Sequence, residues 1–402
     1  MSAQISNSTH RGARLAGRAA LLLACLSMAT GCSTVRGWFS SGDKDEVQTE
    51  PAELVEFQSL ATPSRLWTAS AGKGDGSTGV RQGAFIADGV VYAASVEGGV
   101  RAFDLQSGNS LWRHESDLRL SGGPGAGDGL VVAGSLDGEV VALDAATGAP
   151  RWTAKVPNEV IARPAVGQGL VVVRSNDGRV TAFDAASGER RWFWIEEMPT
   201  LTVRGNAPVA LAPGYAFVGT DEGDLVALSL VDGRKLWEQA VALPDGRTEL
   251  ERMADIDGAP VVDGPAVIAS SYKNRTMAFE GPSGRPLWAA ESGGAGSVGV
   301  AGDRVVVSDA AGTVWAIDKY VGTSYWRQPA LARRGLSPAV VHGAYAVVGD
   351  LEGYLHWMRL SDGEFAARTR AGRSAIAAHP VVADGVMVVQ NVDGDLSAWR
   401  ID

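Results

Sequence analysis

Residues 176–192 read NDGRVTAFDAASGERRW, and forty positions earlier residues 136–152 read LDGEVVALDAATGAPRW. Both segments open on an Asp-Gly pair, run through alternating apolar residues to an aspartate, turn again at Ser187-Gly188 or Thr147-Gly148, and close on Trp192 or Trp152. A period of two puts every second side chain on one face, which is the signature of a strand, and Asp-Gly tolerates the positive φ of a tight hairpin turn. The stretch therefore reads as strand, turn, strand.

Aligned on the small turn residue, the sequence carries eight copies, at Gly98, Gly138, Gly178, Gly223, Arg275, Gly312, Gly353 and Gly394. Most continue to a tryptophan: Trp112, Trp152, Trp192, Trp237, Trp288 and Trp326. Before each first turn lies another apolar run, such as GLVVVRS at 169–175, and before that a strand often opened by proline, as at Pro164, Pro208 and Pro260. Proline lacks the N–H that a ladder needs and is tolerated at a strand's first residue. Four strands per roughly 40 residues is the arithmetic of a propeller blade. The fold class expected is all-β, an eight-bladed β-propeller of four-stranded antiparallel blades.

The two ends imply how the ring closes. The last copy stops at GDLSAWRID (394–402), one strand short, while SRLWTAS (64–70) around Trp67 is a lone outer-strand sequence. Pairing the N- and C-terminal strands completes blade eight and removes an open sheet edge. The repeated tryptophans, Trp67 included, are expected to pack between neighbouring blades.

Residues 1–31 form a different piece. His10, Arg11, Arg14 and Arg18 make a basic leader, followed by a 12-residue apolar run from Ala19 to Thr30, too short to span a bilayer and shaped like a secretory signal. It ends in TGCST, which resembles the lipobox of bacterial lipoproteins, with Cys32 as the lipid-bearing residue of the mature chain; Cys25 is the rival, with a shorter apolar region before it. In such lipoproteins, the lack of an aspartate after the cysteine, here Ser33, implies the periplasmic face of the outer membrane. Residues 32–62 read as lipidated cysteine and tether, and 63–402 as the propeller. Taking Arg11, Arg14 and Arg18 from 36 basic residues leaves 33 against 46 acidic, a net charge of −13. That surface repels phosphate backbones, which argues against nucleic acid as a partner.

The pattern DGxVxAxDxxTGxxxW is similar to the repeat of quinoprotein dehydrogenases, which bind pyrroloquinoline quinone and calcium, but no cysteine pair follows Cys32 to cover a quinone. The segments PTLTVRGNAPV (199–209), TELERMADIDGAPVV (248–262) and GDLEGYLHW (349–357) more closely resemble the BamB family, propeller lipoproteins of the outer-membrane β-barrel assembly machinery. That resemblance implies a non-catalytic scaffold without cofactor or metal. Its implied partners are the POTRA domains of BamA, other assembly lipoproteins and unfolded outer-membrane protein precursors.

Spacings between successive tryptophans from Trp112 onward are 40, 40, 45, 51 and 38. The two enlarged intervals hold extra residues between an outer strand and the next blade's inner strand, so both loops emerge on one face. The first carries Leu201, Val203 and Arg204, the second Asp255 and Asp257, and in the family resemblance these positions match residues that bind BamA. Two apolar side chains at strand spacing beside a guanidinium suit addition to a partner's sheet edge. Pairing of Arg204 with Asp255 or Asp257 inside the chain is the equal alternative.

Other motifs carry less. GAGSVG (294–299) has the dinucleotide-binding glycine pattern but is followed by strand rather than helix. His114, His342, His356 and His379 lack metal-ligand spacing, and His356 reads as a hydrogen-bonded packing residue. Glu196-Glu197 and Asp255-x-Asp257 read as solvated loop carboxylates. A quinone-dependent periplasmic dehydrogenase and a glycan-binding propeller are the alternative functions.

Overall fold

The computed structural model describes residues 50–401, except 75–78, 197, 200, 203–206 and 295. The proposed signal segment and Cys32 lie outside them. The described strands form eight four-stranded antiparallel sheets. Blade three shows the plan: Ala165–Gly167, Leu170–Arg174, Arg179–Asp184 and Arg190–Ile195 follow one another from the ring's centre to its rim. The short first strands of successive blades neighbour one another around a central channel. The second and third strands are buried between blades, and the fourth faces solvent.

Blade eight closes as the sequence predicts. Pro63–Ser70 runs antiparallel to Asp395–Ile401, from Pro63 opposite Ile401 to Ser70 opposite Asp395. One turn differs from the sequence alignment: in the fifth copy the left-handed residue is Asn274, at φ 57°, while Arg275 already opens a strand. Asparagine accepts that conformation more readily than other residues with a Cβ.

The tryptophans occupy the seams. Trp112 Nε1 donates to the Ala145 carbonyl of the next blade at 2.9 Å, Trp152 to Ala185 at 2.8 Å and Trp192 to Leu230 at 2.8 Å. Trp67, Trp237, Trp288 and Trp326 do the same to Leu105, Gly281, Lys319 and Leu360. Each ring also covers the second-turn glycine of the blade it reaches, so that a Cβ built on Gly148 would lie 2.5 Å from Trp112. The glycine in Thr/Ser-Gly is thus required twice, by its backbone angle and by the indole above it.

Within each blade the tryptophan sits opposite an alanine on the third strand: Ala102 with Trp112, Ala142 with Trp152, Ala398 with Trp67. Blade seven inverts the pair, with Trp357 on the third strand and Ala367 on the fourth. The reason lies next door: the fourth strand of blade eight is Pro63–Ser70, from the opposite end of the propeller, so no turn joins its third and fourth strands to receive an indole. Trp357 instead meets Trp399 of blade eight edge-on at 6.3 Å.

The tether reading ran to residue 62, but residues 52–61 are docked on blade seven. Leu60 and Ala61 donate their amides to the Ala366 carbonyl, and Phe57 stacks on Phe365 at 5.4 Å. Beneath them lies a charged network in which Arg334 Nε donates to Asp350 at 2.8 Å and Nη1 to the Ala52 carbonyl at 2.8 Å, while Arg368 donates to the Val55 carbonyl at 3.0 Å. His356 is fully buried there. Its Nδ1 accepts from Arg368 Nε at 3.2 Å, which leaves Nε2–H to donate to Asp350 at 3.0 Å. Burial holds its pKa below the usual histidine value, so it acts as a neutral packing residue.

Candidate partner-binding face

In this strand order, the connection from each fourth strand to the next first strand emerges on the same face of the disc as the turn between second and third strands. Residues 196–209 link blade three to blade four, and residues 241–260 link four to five. Both enlarged loops therefore share that face. Leu201 stands 44% exposed on the first. Val203 and Arg204 lie outside the described residues, and with them the expected pairing of Arg204.

The second loop is held from below. Ile256 is wholly buried among Phe217, Leu225 and Val241, and its amide donates to the Thr220 carbonyl at 3.0 Å. The Tyr272 amide donates to the Asp255 carbonyl at 2.8 Å. Above this anchor, one helical turn (α1, Glu249–Arg252) is started by a capping box: Glu251 N donates to Thr248 Oγ1 at 3.2 Å, and Thr248 N donates back to the Glu251 carboxylate at 3.2 Å. The loop thus presents Leu243 and Leu250 to solvent, 61% and 66% exposed, on the face that carries Leu201.

Asp255 and Asp257 are not solvated loop residues. Asp255 is fully buried, and both carboxylate oxygens of Asp257 are out of solvent, with no hydrogen-bond donor among the described residues. Ile256 explains this, because seating its side chain in the core between blades draws both neighbours inward. Asp221 joins them, and the three carboxylates bring oxygens within 4.8 Å of one another. Such spacing would suit a divalent cation, but Arg174 already engages Asp221 at 2.9 Å with both side chains buried, and supplies the compensating charge from protein. Burial, and after it the charges of Asp255 and Asp221, push the Asp257 carboxyl up to about 7. Glu196, at the root of the first loop, is pushed up to about 8, chiefly by burial. The face therefore combines exposed leucines with a partly protonated acidic floor.

Arg174 and Asp221 were not legible as site residues. The signal was present, however: the strand position of Arg174 holds Ala94, Gly134, Gly219, Ser270, Ser308, Gly349 and Gln390 in the other blades, so Arg174 is the one charged residue there and needs a buried partner.

The comparisons with known proteins agree with this architecture. The family described as "Outer membrane protein assembly factor BamB" matches residues 96–328. The protein of that name from Xanthomonas campestris pv. campestris is 57% identical over 392 residues, covering 94% of this chain and 97% of the relative. The crystal structure of BamB from Moraxella catarrhalis superposes with a TM-score of 0.77 at 26% identity, covering 84% of this chain and all of that one. Quinohemoprotein alcohol dehydrogenase from Comamonas testosteroni shares the propeller alone, with a TM-score of 0.63 at 14% identity over 84% of this chain and 76% of that one. With more than half its length matched by that family and a relative this similar end to end, the chain belongs to the BamB family of outer membrane protein assembly factors.

Proposed function

We propose that the protein is a non-catalytic docking scaffold of the outer-membrane β-barrel assembly machinery. It is held at the periplasmic face of the outer membrane by lipid on Cys32, after removal of residues 1–31. Its partner face is the one bearing the two enlarged connections, with Leu201, Val203 and Arg204 from the first, and Asp255 and Asp257 of the second acting from the buried floor beneath it. The observation that carries this reading is the shared face: among eight similar blades, two adjacent connections are lengthened on the same side, and both expose leucine where a soluble surface gains nothing from it. The geometry suits a partner that brings an apolar strand edge, and the partner we assign is a POTRA domain of BamA. Other assembly lipoproteins and unfolded precursors are met within the same complex.

Co-purification from membranes tests the proposal. Wild-type protein should carry BamA with it, and Leu201→Ala combined with Arg204→Ala should lose most of it while keeping the β-sheet circular dichroism of the wild type. Undiminished BamA on the folded double variant would remove the face assignment, and no BamA on the wild type would remove the partner.

A further inference from the structure

One position recurs near the start of each blade, usually the residue preceding its proline. In six blades it is small: Gly83, Gly123, Ala207, Ala259, Ser297 and Ser337. The two exceptions are Arg163 and His379, and both line the channel. They stand at the start of blades three and eight, separated by blades one and two, whose residues at this position are the glycines. Gly83 and Gly123 pack closely, since a Cβ on Gly83 would meet Ala378 Cβ at 3.1 Å and one on Gly123 would meet the Gly83 carbonyl at 3.1 Å, and the arginine of blade three reaches past blade two to blade one. The Arg163 guanidinium lies over the Phe85 ring, 4.8 Å from its centre, and makes no ion pair among the described residues. His379 Nδ1 is buried with no hydrogen-bond partner among them.

Arg163, stacked on an aromatic face without an ion pair among the described residues, is near enough for its charge to act on His379, whose Nδ1 has no partner among them, so the two side chains offer donors to one acceptor. Burial, reinforced by the neighbouring Arg163 charge, holds His379 down at about 4, so it is a neutral donor and the arginine carries the charge. The rest of the channel, about 660 Å³, has apolar walls from the first strands, including Ile86, Val261, Val300 and Val382. The other charged groups on its wall among the described residues are the exposed Arg81 and Asp257, which belongs to the connection before blade five. Volume and wall chemistry are those of a small-molecule site with a few placed polar groups.

We infer that the channel binds a small carboxylate carried on an apolar body, the carboxylate held by Arg163 and His379 and the body by the valine-lined wall. The site is separate from the partner reading above and stands or falls without it.

Calorimetric titration of the intact protein with benzoate, benzamide and inorganic phosphate tests this. Benzoate should bind at least tenfold more tightly than benzamide, which keeps the ring and lacks the charge, and more tightly than phosphate, which keeps the charge and lacks the apolar body. Arg163→Gln should weaken benzoate tenfold or more, Arg163→Lys should retain part of the affinity, and His379→Ala should cost a few-fold. Equal binding of benzoate and benzamide by the wild type would overturn the inference whatever the variants do. So would phosphate binding as tightly as benzoate, or benzoate affinity unchanged in folded Arg163→Gln.

Discussion

Gly148 and Gly169 both sit in the left-handed region, at φ 70° and 76°, yet replacing them with alanine should have different costs. Backbone strain is common to both, about 1–2 kcal/mol. At Gly169 the new Cβ meets nothing within 4 Å, so strain is the whole effect. At Gly148 it falls 2.5 Å from Trp112 Cε3, inside any real contact, and the indole has to move. Overpacking of this kind costs about 1–3 kcal/mol. Moving the ring also strains its 2.9 Å hydrogen bond to Ala145, three residues before the glycine, at about 0.5–1.5 kcal/mol. Gly148→Ala should therefore be less stable than Gly169→Ala by about 2–4 kcal/mol. Urea unfolding followed by tryptophan fluorescence gives the difference, with an unchanged m-value as the check that the folded state is otherwise intact. A double-mutant cycle with Trp112→Ala should show that the excess cost at Gly148 vanishes once the ring is gone. Equal destabilisation at the two glycines, or an excess that survives removal of the ring, would refute the reading of the repeat as an interblade staple.

Three further outcomes follow from particular residues. Trp357→Ala should cost about 3–5 kcal/mol, and adding Ala367→Trp, which restores the arrangement of the other blades, should not recover it, because blade eight has no second turn to receive the indole; urea unfolding of single and double variants checks this. The raised carboxyl values of Glu196, Asp224 and Asp257, about 8, 6 and 7, mean that the folded protein holds protons which the unfolded chain releases from about pH 4. Their contribution is present below the unfolded values and is lost as pH rises through the folded ones, opposed up to about pH 6.5 by the buried neutral His342, His356 and His379, so stability should decline between about pH 6.5 and 8, and Asp257→Asn should flatten that slope in thermal melts. Phe57→Ala should release residues 52–61 from blade seven, read as faster amide exchange at Leu60 and Ala61, whose amides now bond to Ala366.

The fold was legible because the repeat states its own geometry: alternation, turn glycines and tryptophans recur at fixed offsets, and the unpaired SRLWTAS segment identified the closing strand. The inverted pair Trp357 and Ala367 was hidden because it follows from the closure of blade eight by Pro63–Ser70 rather than from any local pattern. The face was legible from loop lengths and Leu201. Its floor was not, since hydrophilicity reads Asp255 and Asp257 as exposed, whereas Ile256 between them is drawn into the core and takes them with it. The docking of the segment at 52–61 was not legible either. Its apolar residues Leu54, Val55, Phe57 and Leu60 do not alternate as those of a strand do, and Arg334 and Arg368, which donate to its carbonyls, lie some 280 to 310 residues away.

A photo-crosslinking residue placed at Leu201 in living cells reads the partner face directly, with the same residue at Leu111, 52% exposed on the outer strand of blade one, as the comparison. Position 201 should crosslink to BamA and position 111 should not. Crosslinks to BamA from 111 alone, or from neither position in folded, membrane-localised protein, would contradict a scaffold that docks through the connections flanking blade four.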